Sequence, residues 1–93
     1  MSIPAEYIIA EGPEGLKKIL AEFLEKSRND PIFAKQKHHV LYQLGSQKSM
    51  IRIDTDRTPF KFWYYDLMGR AATVAVKDVL ADFLWDNWGE KQE

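Results

Sequence analysis

The sequence predicts a two-layer α+β domain, in which two main helices pack on one face of an antiparallel sheet of three or four strands, in the order α-β-β-β-α. Apolar residues recur at the spacing of a helical face over residues 13–28 and again over residues 70–88. The segment between them is rich in β-favouring residues and is divided by turn signals. Because 93 residues are few for more than one core, we expect a single domain over residues 1–93.

The first helix begins near Pro13, since proline suits the first helical turn, where no amide donor is needed. Its predicted buried stripe consists of Leu16, Ile19, Leu20, Phe23 and Leu24. Asp30 and Pro31 then predict the cap and first turn of a short second helical piece that reaches about residue 36. Residues 1–12 form either an N-terminal arm or an extra strand, and the pattern of residues 7–10 fits a strand or a helical turn.

Three strands are predicted at residues 38–44, 47–54 and 60–65. Gly45 and Ser46 form a two-residue hairpin loop with glycine first, as a type II′ turn requires. This loop sets a register that pairs Leu44 with Gln47, Leu41 with Met50, and His39 with Arg52. The register places one apolar set on the same face: Val40, Tyr42, Leu44, Ile51 and Ile53. Matching the more apolar side of the third strand to this set adds Phe60, Phe62 and Tyr64 to the core.

The opposite sheet face combines cationic side chains with aromatic and aliphatic ones. Residues 35–61 contain six Lys or Arg and two Asp, so this part of the chain is positively charged. The candidate binding residues on this face are Lys48, Met50, Arg52, Lys61, Trp63 and Tyr65. Three interpretations stay open: a face covered by the chain or by a copy of it, a protein interface, or a surface that stacks unpaired bases and holds phosphates.

The last helix, over residues 70–88, ends at Gly89, a residue that commonly terminates helices. Its core stripe is predicted to be Ala72, Val76, Val79, Leu80, Phe83 and Leu84. Val74, Trp85 and Trp88 fall on nearly the opposite side, where a surface helix normally carries polar residues. They indicate an oligomer or partner interface, and the alternative is that Trp88 folds back onto the core.

The polar residues near the strand ends favour structural roles. Asp54 and Asp56 are interpreted as turn formers that bond nearby backbone amides, and Asp66 as a cap for the last helix. His38 and His39 are adjacent on a strand, so they point to opposite faces and cannot share a metal ion.

Composition narrows the function classes. The chain has no cysteine, a net charge of −1, no glycine-rich phosphate loop and no apolar run of membrane-spanning length. We therefore expect a cytoplasmic, non-enzymatic protein–protein interaction module without metal or cofactor and without membrane contact. Its expected partner is another protein or a second copy of itself, and the alternative is a nucleic-acid-binding domain that uses the basic and aromatic sheet face.

Overall fold

The computed structural model describes residues 6–89 and has an α+β fold with a four-stranded mixed sheet and three helices. Its elements are, in chain order, β1 (Ile8–Glu11), α1 (Gly12–Asn29), α2 (Pro31–Lys35), β2 (Lys37–Leu44), β3 (Gln47–Asp54), β4 (Lys61–Met68) and α3 (Arg70–Trp88). The two predicted main helices are confirmed as α1 and α3. The short helical piece after Asp30 is confirmed as α2, and the Asp30 carboxylate accepts bonds from the amides of Ile32 and Phe33, at 3.0 and 3.2 Å.

The sheet departs from the prediction in one strand. The strand order is β1-β2-β3-β4, and β2, β3 and β4 are antiparallel as expected. The prediction of an all-antiparallel sheet is wrong, because β1 pairs with β2 in parallel, Ile8 lying beside Val40. The reason is topological: α1 returns the chain across the sheet before β2 begins, and a strand–helix–strand crossover joins parallel strands.

The hairpin between β2 and β3 has the predicted register. Leu44 pairs with Gln47, Leu41 with Met50, and His39 with Arg52. Gly45 has a φ of +63°, which a residue with a side chain rarely adopts, so the turn needs glycine at this position.

The core lies between the sheet and the helices, which all pack on one face. Its fully buried sheet residues include Val40, Tyr42, Ile51 and Ile53, as predicted. The helices contribute Leu16, Leu20, Phe23, Ala72, Val76, Val79, Leu80 and Leu84. The binary pattern of strands and helices therefore predicted this layer correctly, because each element buries one face only.

The start of α3 is built differently from the prediction. Asp66 lies inside β4, which continues to Met68, so its predicted role as the helix cap is wrong. The Gln47 side chain, at the start of β3, supplies the acceptor instead: its Oε1 lies 3.0 Å from the Ala72 amide nitrogen, which donates. Gly69 precedes the helix at a φ of +87°, and a Cβ there would come within 2.6 Å of the Gln47 side chain. The hydrogen bond between the Ala72 amide and Gln47 thus links α3 to the β2–β3 hairpin.

Candidate interaction surface

The outer face of the sheet is the face opposite the helices. Strand register assigns its members, because residues that pair directly point to the same side. Met50 pairs with Leu41 and Tyr65, and Arg52 pairs with His39 and Trp63. Lys48, Asp54 and Lys61 share this side by their alternation with the same residues. The structure thus places all six predicted binding residues on one face: Lys48, Met50, Arg52, Lys61, Trp63 and Tyr65.

The centre of the outer face is buried although it lies on the side away from the helices. Met50 has no exposed surface, and Leu41 is also buried. Met50 therefore supports the outer face from within and offers no contact itself, in contrast to the role expected for it. The period of a strand showed which side Met50 takes, whereas its burial depends on neighbours from other strands.

Trp63 is the most prominent side chain of the outer face. It is 37% exposed, and two cations of the chain lie over its ring. The Arg52 guanidinium carbon is 4.3 Å from the ring centroid, and the Lys61 ammonium is 5.1 Å from it. Both distances are within the range of cation–π attraction. The indole is thus held in one orientation, with a charged group on its ring and an exposed remainder.

Asp54 anchors the cations of this face. Its carboxylate accepts bonds from Arg52 Nε and Nη2, both at 3.1 Å, and from Lys37 Nζ at 3.0 Å. The interpretation of Asp54 as a turn former is therefore wrong: the carboxylate is almost fully buried and pairs with side chains. Burial alone would raise the pKa of Asp54, but the bonds from Arg52 and Lys37 outweigh it and hold that pKa below its usual value.

The same network fixes Arg52. Its guanidinium bonds to Asp54 through two nitrogens and stacks on Trp63, and the bond to Asp54 raises its pKa. A planar guanidinium is suited to this combination of a two-pronged bond with stacking. Asp54, Arg52 and Trp63 therefore form one connected array across β3 and β4.

The exposed side of α3 retains two of its three predicted interface residues. Val74 is 60% exposed and Trp85 is 55% exposed. Trp88 instead turns toward the core, with its ring 5.2 Å from that of Phe60 and 5.6 Å from that of Phe83. The alternative in which Trp88 folds back is the one observed, and Trp88 is removed from the candidate oligomer interface.

The two histidines lie on opposite sides, as expected. On the helix side, His38 stacks on Phe33 at 4.2 Å, and its Nε2 donates to the Phe33 carbonyl at 2.9 Å. Burial lowers the pKa of His38, and the bond to Phe33 offsets this only in part. His38 thus joins α2 to β2 in a structural role.

Over residues 6–89 we find no group of three or more His, Asp or Glu side chains that could hold a metal ion. Within the same range, no helix has both the length and the apolar character needed to span a bilayer. No family model, curated protein or solved structure matches this chain.

Proposed function

We propose that this chain is a non-enzymatic protein-interaction module that binds a partner protein through the outer face of its sheet. The observation that carries the proposal is the fixed orientation of Trp63, which is exposed in part and held by Arg52 and Lys61. Tryptophan and arginine are the residues that contribute most often to binding energy at protein interfaces.

The array is also preorganised, which favours binding. An aromatic or arginine side chain that is mobile in the free protein loses conformational entropy when a partner immobilises it. Here Asp54 already holds Arg52, and Arg52 already contacts Trp63. Most of the ordering is thus complete before a partner arrives, and the cost of binding falls accordingly.

Charge indicates the chemistry of the partner. Lys48, Arg52 and Lys61 surround the aromatic residues of the outer face, and Asp54 is already paired within it. The complementary surface is an apolar pocket for Trp63 that is flanked by carboxylates. The three cations would raise the rate of association with such a partner, and burial of the Trp63 indole in its pocket would raise the affinity.

The test is affinity capture from the native cell, followed by titration with the captured partner in purified form. Trp63→Ala should abolish retention, whereas Trp85→Ala, at an exposed tryptophan on α3, should leave it unchanged. If retention survives Trp63→Ala, the outer face is not the contact surface. Loss with Trp85→Ala alone would assign the contact to Val74 and Trp85.

A second candidate function is the binding of single-stranded nucleic acid, which the interleaving of Lys48 and Lys61 with Trp63 and Tyr65 favours. Stacking of a base on Trp63 would contribute about 1–3 kcal/mol. It ranks second because two cations already lie over the Trp63 ring and Arg52 already bonds to Asp54.

Fluorescence anisotropy with labelled RNA and DNA separates the two candidates. Nucleic-acid binding should weaken steeply as salt is raised and should be lost in Trp63→Ala and Lys61→Glu. Binding that neither substitution changes, or no binding at all, would eliminate this second candidate.

A further inference from the structure

The edge strand β1 carries exposed apolar side chains on both of its faces. Ile8 is 45% exposed on the helix side, and Ile9 is 49% exposed on the outer side. Tyr7, directly before the strand, is 40% exposed. Because β1 is the terminal strand of the sheet, it pairs with β2 alone among the described strands. Within residues 6–89 no strand pairs with its other backbone edge, which is the kind of edge that a further strand can join.

The opposite edge strand, β4, is protected in ways that β1 is not. It carries the charged residues Lys61 on the outer side and Asp66 on the helix side, and its pairing with β3 has a register shift between Lys48 and Ser49. Charged side chains and bulges are common means of preventing strand addition at a sheet edge. Residues 8–10 contain neither a charge nor a proline. The two edges thus differ in their readiness to accept another strand.

We propose that two copies of this chain pair through β1, antiparallel about a two-fold axis at Ile9, and form one continuous eight-stranded sheet. This inference extends the proposed interaction function by naming a second copy as one partner. It rests on a separate surface, since the β1 edge lies at the side of the sheet and Trp63 lies three strands away.

Strand geometry selects the register. For the outer faces of the two sheets to coincide, residues of equal parity must oppose one another, since neighbours in a strand point to opposite sides. Centring the pair on Ile9 places Ile9 against Ile9 of the second copy and Ile8 against Ala10. This arrangement buries the exposed isoleucines on both faces of the joined sheet.

The charges of β1 are compatible with this pairing. Glu11 is the only charged residue of the strand, and it would oppose Tyr7 of the second copy. The two Glu11 side chains would then lie four residues apart along the sheet, roughly 14 Å at about 3.4 Å per residue. That distance exceeds the screening length of about 8 Å at physiological salt, so their repulsion is small.

The strand is held firmly by the helix above it. Ala10 is buried, and a Cβ placed on Gly15 of α1 would lie 3.6 Å from the Ala10 backbone. That separation is an ordinary van der Waals distance, so the first turns of α1 pack closely over Ala10. Since β1 is fixed against α1 before a second copy arrives, little ordering opposes the association.

The first test is sedimentation velocity of the whole chain over micromolar to submillimolar concentrations. A short strand interface is small, so we expect a reversible dimer whose population rises with concentration. Ile9→Lys should weaken dimerisation by about tenfold or more, because it sets like charges against one another at the centre of the pair. Ile32→Lys is the matched control, as Ile32 is 73% exposed on α2 and should not affect the mass.

A second test fixes the geometry. Because the chain has no cysteine, single-cysteine variants report only on the position chosen. Ile9→Cys should cross-link into a covalent dimer on mild oxidation, since directly opposed Cβ atoms lie about 4.5–5.5 Å apart. Ile8→Cys should cross-link at several-fold lower yield, because its two copies would be diagonal, about 7–8 Å apart.

The outcomes separate this inference from the proposed function. A chain that stays monomeric at all concentrations overturns the β1 pairing and leaves the proposal for Trp63 intact. A dimer that resists Ile9→Lys but dissociates with Trp85→Ser places the interface on α3 and also overturns it. Preferred cross-linking through Ile8→Cys would overturn the register centred on Ile9. Trp63→Ala should leave the dimer unchanged.

Discussion

The two faces of the sheet bury their residues by different means. On the helix side, Ile51 and its neighbours are covered by α1 and α3, and the buried contacts are mainly apolar. On the outer side, no helix of the described chain packs over the sheet, yet Met50 and Asp54 are buried there. Burial on the helix face therefore depends on whole elements, whereas no described helix contributes to burial on the outer face.

The largest expected effect compares Ile51 with Met50, which are adjacent in β3, fully buried and on opposite faces. Ile51→Ala should lower the free energy of unfolding by about 3–4 kcal/mol, because α1 and α3 cannot close the cavity. Met50→Ala should cost about 2 kcal/mol, because neighbouring side chains can collapse onto the site. Urea denaturation measures both, with Ile51→Val as a milder variant if Ile51→Ala does not fold. Equal losses at the two positions would refute the distinction between the faces.

The buried polar groups of the two faces should respond with opposite signs. Asp54→Asn should destabilise the protein by about 1–2 kcal/mol, since it removes the charge from the bonds to Arg52 and Lys37. Tyr42→Phe should stabilise it by about 1 kcal/mol, because the Tyr42 hydroxyl is buried on the helix side and makes no hydrogen bond within the described chain. Thermal and urea denaturation would check both. A loss of stability in Tyr42→Phe would show that the buried hydroxyl stabilises the folded protein, contrary to this prediction.

The smallest expected effect is a dependence on pH that differs between the faces. The pKa of His38, on the helix side, is lowered from its usual 6.5, so the folded chain binds this proton less readily than the unfolded chain. Stability should therefore fall as pH drops below about 6.5, and His38→Phe should flatten this step. The pKa of Asp54 is lowered from 3.8, so its contribution is lost only below about pH 4.

Urea denaturation at about pH 8, 6 and 5 isolates the histidine step. Asp54→Asn serves as the comparison, since it should lower stability by the same amount at all three pH values and change the slope of the stability–pH curve only below about pH 4. If the free energy of unfolding depends on pH in the same way for the wild type and His38→Phe between about pH 8 and 5, His38 does not contribute the expected step.

The sequence predicted the features that local chemistry determines. Gly45 and Ser46 set the hairpin register, which placed Arg52 opposite His39, and the apolar alternation of residues 60–65 placed Trp63 on the same outer face. Local chemistry did not decide whether β1 is a strand, because a pattern of four residues does not distinguish a strand from a helical turn. Its parallel pairing also follows from the path of α1, which is a property of the whole chain.

Contacts between distant residues account for the other differences. Asp54 pairs with Lys37, 17 residues away, so its local sequence resembled a turn although its role is that of a buried ion pair. Trp88 is the last residue of α3 and lies four positions after the buried Leu84, so it falls beside the core stripe and its ring contacts Phe60, which is distant in sequence. The members of the outer face were thus predictable from strand period, whereas the burial and fixed geometry of those members were not.

The bond between Gln47 and the Ala72 amide links two segments that lie 25 residues apart. Opening of the β2–β3 turn would remove this acceptor and leave the first turn of α3 with an unsatisfied donor. The hairpin tip and the start of α3 should therefore unfold locally as one cooperative unit. In native-state hydrogen exchange, the Ala72 amide then becomes a reporter of opening at the hairpin, although it belongs to a helix.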